Sequence, residues 1–308
     1  MLHPMVWLAC RATRRAKAAG ETRTIDERRA AEAEASRRRL APPGDIRITD
    51  RTIPIGGVDV GVRIYRPPVA GELPAHLFLH GGSFWSGTLD TSDELCRFYA
   101  RQAGCVVVSV DYRRAPEHQW PTAAEDGYAA LLWVYARAAE LEIDPKRLSV
   151  GGVSVGGNLA AVIALMARDR GGPDLVFQLL EIPVLDLTLS CPSISTYGTG
   201  YLLTKADLVE GYDLYLPDEA KRVHPYASPL HAEDLTGLPP AFVLTCEYDP
   251  LRDEGERYAE RLRAAGGSAE LLMARGHTHA STYGNSLRST RRCQQATAGA
   301  LAAAYARG

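Results

Sequence analysis

No stretch of the 308-residue chain stays apolar for the roughly 18 residues that a membrane helix needs. Charge of one sign is not in excess either: 35 Lys and Arg stand against 37 Asp and Glu, a formal net charge of −2. That balance argues against a general nucleic-acid or anionic-membrane binder. Cysteines are few and scattered. Cys10, Cys96, Cys105, Cys191, Cys246 and Cys293 form no C-x-x-C pair, which removes the commonest zinc and redox motifs. Cys105 and Cys246 sit in apolar runs and read as buried free thiols, so a reducing, cytoplasmic setting is expected. The 8 histidines fall into no ligand spacing with cysteines or carboxylates, and neither a metal nor another cofactor is expected. The start, "MLHPMVWLACRATRRAK", puts its basic residues after the apolar stretch, the reverse of a secretory signal. Packing on the protein's own surface is preferred there over contact with a membrane, and no stable insertion is expected.

What is present is ordinary globular material, 46% hydrophobic and 23% charged, enough for one large α/β domain with a small cap. Residues 1–44 read as helices, Arg- and Glu-rich in "IDERRAAEAEASRRRL" and broken by "APPGD". From residue 45 to 308 the texture changes. "DIRITDRTIPIGGVDVGVRIYRPP" alternates around Gly-Gly as an antiparallel hairpin does. Short apolar strands follow at "AHLFLH", "CVVVSVDY", "RLSVGG", "LVFQLLEIPVL", "AFVLTCEYD" and "AELLMARG". Helical stretches at "TAAEDGYAALLWVYARAAEL", "GNLAAVIALMARDR" and "RDEGERYAERLRAAG" separate several of them, and an Ala-rich helix ends the chain. Such alternation predicts a mostly parallel sheet with helices on both faces. Residues from about 186 to 236 interrupt it, as an insertion that shapes a pocket would.

Four segments carry chemistry. Ser154 lies in Gly152-Val153-Ser154-Val155-Gly156, a weak match alone that gains from standing between a strand and a helix. A nucleophile elbow needs that strand, tight turn and helix, so that the serine is exposed above the sheet and the next amide faces the substrate. "HLFLHGGSFWSG" puts His80-Gly81-Gly82-Ser83 at a strand's carboxyl end, where the amides of Gly82 and Ser83 can converge on an oxyanion. His80 is read as a brace for that loop rather than as the base. Asp249 closes a strand and is preferred over Asp253, whose place at a helix start explains it without catalysis. "MARGHTHAST" offers His277 and His279, one of which suffices as a base. The chain order Ser, Asp, His is the one found in α/β-hydrolases.

These segments together resemble the hormone-sensitive-lipase-like branch of the α/β-hydrolases, the bacterial family IV esterases. "HGGSF" is similar to the family's H-G-G-G-[FW] loop, and "VDYRRAPEHQWPTAAEDGYAALLWV" to its D-Y-R-L-A-P-E-H-x-[FY]-P-A-A-x-x-D segment. "GVSVGGNLAA" is similar to G-D-S-A-G-G-N-L-A, and "YASPLHAEDLTGLPPA" with "EYDPLRDEG" to the acid region. The resemblance runs from the hairpin at 45 to the terminal helix. It implies Ser154 as nucleophile, Asp249 as acid and His279 as base, His279 being chosen over His277 because it stands three residues after Gly276. It implies Gly82, Ser83 and Val155 as the oxyanion-hole amides. The first 44 residues and the insertion would form a cap, with Tyr197 and "GYLLT" at 200–204 lining the acyl pocket. Three departures bear on substrate preference: Ser83 for the third glycine, Val153 and Val155 for Asp and Ala, and Ala280-Ser281 where Gly-Phe follows the base.

The function expected is a serine carboxylesterase that hydrolyses short- to medium-chain esters through an acyl-enzyme. Same-fold amide cleavage, acyl transfer or dehydration, and a silent binding protein, are the alternatives. The partner expected is a small-molecule ester, with no nucleic acid; a homodimer is compatible with this reading.

Overall fold

A computed structural model describes residues 2–18, 23–38, 40, 44–283 and 287–307, with backbone alone at 15–18. Pro42 and Pro43, expected to break the second helix, and Arg39 lie outside the described residues. Two helices come first, α1 (Pro4–Ala18) and α2 (Ile25–Arg37). Thr24 starts α2 with a reciprocal cap: its hydroxyl accepts from Glu27 N, and the Glu27 carboxylate accepts from Thr24 N.

The sheet then begins with the expected hairpin, β1 (Arg47–Ile55) and β2 (Val58–Arg66). Its turn is Gly56-Gly57, both with positive φ, as a two-residue hairpin turn requires. There follow β3 (Leu73–Leu79), α3 (Asp93–Ala103), β4 (Val106–Asp111), α4 (Thr122–Ala136), β5 (Ile143–Val153), α5 (Val155–Asp169) and β6 (Phe177–Glu181). Then come α6 (Pro192–Tyr197), α7 (Lys205–Tyr215), β7 (Ala241–Tyr248), α8 (Arg252–Ala264), β8 (Ala269–Thr278) and α9 (Arg288–Tyr305). The 8 strands form one sheet in the order β1-β2-β4-β3-β5-β6-β7-β8. The β1–β2 and β2–β4 pairings are antiparallel, and every pairing from β4 to β8 is parallel.

Alternation within the strands divides the core in two. Leu77 and Leu79 of β3, Val106, Val108 and Val110 of β4, and Ala241 and Val243 of β7 face one side, packed with α4, α5 and α8. Phe78, Val107, Phe242 and Leu244 face the other, against α3 and α9. Period-two side chains that are apolar on both faces are what a doubly covered sheet demands.

Two elements differ from expectation. Helix α3 was not foreseen; it is short and charged, yet Cys96, Tyr99 and Ala100 are spaced to bury one stripe, and Gly104 ends it in the left-handed region. Strand β6 is shorter than the apolar run "LVFQLLEIPVL", because Ile182 takes φ 43 and Pro183 follows. Within the 186–236 segment, Leu208, Tyr212, Tyr215 and Leu216 are buried and join the larger core cluster. None of the described helices is long and apolar enough to cross a membrane.

Candidate active site

Ser154 stands between the end of β5 and the start of α5, with φ 59 and ψ −117. A non-glycine residue with positive φ is held only by surrounding structure, and here that structure is plain. Ser154 N donates to the Glu181 carbonyl at 2.8 Å, while the Ser154 carbonyl accepts from Asn158 N and Val184 N, both at 3.1 Å. The turn is also crowded: a Cβ on Gly156 would fall 2.0 Å from the Leu79 carbonyl oxygen, and one on Gly152 would fall 2.4 Å from it. The G-x-S-x-G spacing is therefore a packing requirement of this strand–turn–helix junction. Val153 packs at the edge of the α3/α9 core and Val155 is buried in the other.

Asp249 follows β7 and His279 follows β8, so neighbouring parallel strands deliver both to the edge where Ser154 sits. His279 Nε2 lies 3.1 Å from Ser154 Oγ, and its Nδ1 lies 2.8 Å from Asp249 Oδ2. The other Asp249 oxygen accepts from Leu251 N at 2.9 Å. With Nδ1–H donating to the carboxylate, Nε2 is left to accept the serine proton. Both side chains are buried whereas Ser154 is half-buried, which leaves the hydroxyl open to a substrate.

His277 and Asp253 are engaged elsewhere. His277 bonds the Ser281 and Ser289 hydroxyls, both at 2.9 Å. Asp253 accepts from Ser193 N at 2.8 Å and pairs with Arg252. Ala280, one of the departures, has φ 60, a conformation that favours glycine. Its neighbour Ser281 closes the same turn, its hydroxyl accepting from Thr278 N and donating to the Thr278 carbonyl, both at 2.9 Å.

The loop after β3 sets the direction of two amides, those of Gly82 and Ser83, by fixing the carbonyls of the same peptide units. In a planar trans peptide the C=O and the following N–H point opposite ways. Burial pushes the His80 imidazole down to about 4, so the ring is neutral, and its Nδ1 lies 2.8 Å from the Gly81 carbonyl oxygen. The Gly82 carbonyl accepts from Trp85 N at 3.1 Å, Ser86 N at 2.8 Å and Ser86 Oγ at 3.1 Å. With both carbonyls held, the N–H groups of Gly82 and Ser83 face the other way. Val155 N–H projects from the first residue of α5, where the helix dipole adds positive potential. Among the described residues no acceptor engages these three amides. His80 therefore braces the loop, stacked on Tyr112 at 4.3 Å, with the Tyr112 hydroxyl on its carbonyl.

Ser83 and Phe84 both have positive φ, 52 and 66. Helix α7 backs them: Phe84 stacks on Tyr215 with ring centres 3.8 Å apart. Tyr197 and Tyr201 form an aromatic cluster with Tyr248, the residue before Asp249, and Arg252 lies over Tyr197. Among the buried acids that sequence reasoning passed over, Glu181 lies nearest the elbow's backbone, its carbonyl accepting from Ser154 N. Glu181 ends β6 directly behind the elbow, its carboxylate accepting from the hydroxyls of Tyr99 and Tyr283. Burial raises its carboxyl to about 7. A lone Glu inside "LVFQLLEIPVL" was the available signal. No group of three or more His, Cys, Asp and Glu is placed to hold a metal among the described residues, and all six cysteines are buried and unbridged.

A family model described as the alpha/beta hydrolase fold matches residues 76–282, well over half of the chain. The chain belongs to this family. Within it, the motifs and the relatives place this hydrolase in the hormone-sensitive-lipase-like branch. It is 46% identical over 234 residues to the carboxylesterase NlhH of Mycobacterium tuberculosis, covering 74% of this chain and 73% of that protein. It is 44% identical over 244 residues to the carboxylic ester hydrolase LipN of the same organism, covering 77% of this chain and 65% of LipN. Among solved structures, the esterase of Pyrobaculum calidifontis superposes with a TM-score of 0.91 at 37% identity, over 98% of both chains.

Proposed function

We propose that this α/β-hydrolase is a serine carboxylesterase in which Ser154, His279 and Asp249 act as a triad. The observation that carries the reading is the continuous line from Asp249 Oδ2 through His279 to Ser154 Oγ. The relatives named as ester hydrolases support it.

Each residue then has a definite task. Ser154 Oγ attacks the ester carbonyl carbon as its proton passes to His279 Nε2, and Asp249 stabilises the resulting imidazolium. The negative charge on the carbonyl oxygen meets the N–H groups of Gly82, Ser83 and Val155. Collapse breaks the bond to the alcohol oxygen, which takes the proton from His279. Water, deprotonated by the same nitrogen, attacks the acyl carbon and frees the acid and Ser154.

Helices α1, α2, α6 and α7 are assigned as the cap, supported by the contacts of α2 and α7 with the 82–88 loop. A cap of short helices packed this closely fits short to medium acyl chains. Six buried, unbridged thiols fit a reducing, cytoplasmic compartment. A panel of p-nitrophenyl esters of rising chain length tests the assignment. The wild type should prefer acyl chains at the short end, and Ser154→Ala should lose about a thousand-fold or more in kcat. Undiminished turnover by Ser154→Ala would overturn it.

A further inference from the structure

Helix α2 has no fully buried residue, yet one face of it grips the loop that carries Gly82 and Ser83. Arg29 is at the centre of that grip. Its Nε donates to the Trp85 carbonyl at 2.7 Å, and its Nη2 donates to the Ala115 carbonyl at 2.6 Å. The rest of the guanidinium is paired with Glu117, Nη1 to Oε1 at 2.6 Å and Nη2 to Oε2 at 2.8 Å. One turn on, the Glu32 carboxylate accepts from Gly87 N at 3.1 Å. The neighbouring Arg28 lies over the Trp85 ring at 4.2 Å and pairs with Glu210 of α7 at 2.6 Å.

Two planar peptide units connect Arg29 to the oxyanion hole. Arg29 holds the Trp85 carbonyl; the N–H of that same peptide unit, on Ser86, donates to the Gly82 carbonyl at 2.8 Å. The Gly82 carbonyl in turn shares its plane with the N–H of Ser83. Fixing one end of this series fixes the direction of the amide at the other. The second carbonyl that Arg29 holds works to the same end, because Ala115 N donates to the Phe84 carbonyl at 3.0 Å. Ser83 and Phe84 need this support, since neither is a glycine and both have positive φ.

We infer that Arg29 is a positioning residue of the oxyanion hole, acting from outside the catalytic domain through the Trp85 and Ala115 carbonyls to aim the Ser83 N–H. The inference rests on the reading of Gly82, Ser83 and Val155 as that hole. A guanidinium suits the task because its donors are fixed in one plane and reach two carbonyls and a carboxylate together, which an ammonium does not. The contribution belongs to the transition state, so it should appear in kcat rather than in KM.

The test compares wild type, Arg29→Met, Arg29→Lys and Glu117→Gln, each checked for folding by circular dichroism. Hydrolysis of p-nitrophenyl butyrate is read beside inhibition by an aliphatic trifluoromethyl ketone. Ser154 Oγ adds to the ketone carbon as its proton goes to His279, the C=O π pair moves onto oxygen, and the new oxyanion occupies the hole with no leaving group expelled. Arg29→Met should lower kcat about ten-fold or more while KM changes by less than about three-fold. The ketone should weaken by the same factor as kcat/KM. Arg29→Lys keeps the charge and should show a loss of similar size, which keeps the test open if the Met variant does not fold. Glu117→Gln leaves both carbonyl contacts and should stay within about three-fold of wild type. Wild-type kcat in both Arg29 variants would overturn the inference. So would a loss of kcat with unchanged ketone inhibition, or a loss in Glu117→Gln equal to that in Arg29→Met. Failure of the esterase reading looks different: the wild type itself would neither hydrolyse the ester nor bind the ketone.

Discussion

At the scale of single residues, two side chains sit where the local chemistry disfavours them. Ala280 follows the candidate base with φ 60, a conformation costing an L-residue about 1–2 kcal/mol. Ala280→Gly should therefore raise stability by about 0.5–1 kcal/mol after the added freedom of the unfolded chain is subtracted, as thermal or urea melts can measure. Glu181 is the second. Its carboxyl is raised by burial from 4.5 to about 7, so between those values the folded protein holds a proton that the unfolded chain has released. The stabilisation from that proton is complete below the unfolded value and is lost as pH rises through the folded one. Melting temperatures of wild type should fall relative to Glu181→Gln between about pH 5 and 8; parallel curves would show that Glu181 does not titrate there. Ser154, Asp249 and His279 were legible as candidates because each closes a predicted strand, but the choice of His279 over His277 needed the family spacing. In the structure the reason is direct. His277 is tied to Ser281 and Ser289, and His279 spans Asp249 and Ser154.

At the scale of elements, the junction of β5 and α5 tolerates the least change. A Cβ on Gly156 has nowhere to go, because the atoms it meets are backbone of Leu79 at the end of β3 and of His80 just after it. Gly156→Ala should destabilise the fold by about 3 kcal/mol or more, or prevent soluble expression. Equal stability of that variant would mean the strand and helix can separate. The strands and the long helices were readable from period and punctuation, whereas α3 was not. Its buried stripe is only a few residues set among Asp, Glu and Arg, so the apolar signal is diluted by charge. The end of β6 was missed for another reason. Ile182 takes a left-handed backbone that its side chain does not advertise, and Pro183 confirms the stop only when the turn is seen.

At the scale of the whole molecule, the alternation of strands with helices was sufficient to expect a mostly parallel sheet covered on both faces, and 8 strands lie in one sheet as that pattern requires. The opening hairpin explains the two antiparallel pairings at its edge. Contacts between distant charged segments were beyond reach of the sequence. Arg28 meets Glu210 across 182 positions, and Arg29 meets Trp85 and Glu117 across 56 and 88. Nothing in an exposed Arg-rich helix tells which carboxylate or carbonyl it will find. The helices outside the sheet thus bear on the site through pairings that only the folded chain displays. Covalent catalysis at Ser154 is tested most directly by treating the intact protein with a fluorophosphonate and mapping the modified peptide by mass spectrometry. One phosphonyl group per chain, on Ser154, with ester hydrolysis lost in proportion to labelling, is the expected result. Full inhibition with the label on another residue, or undiminished hydrolysis once Ser154 is fully labelled, would contradict it.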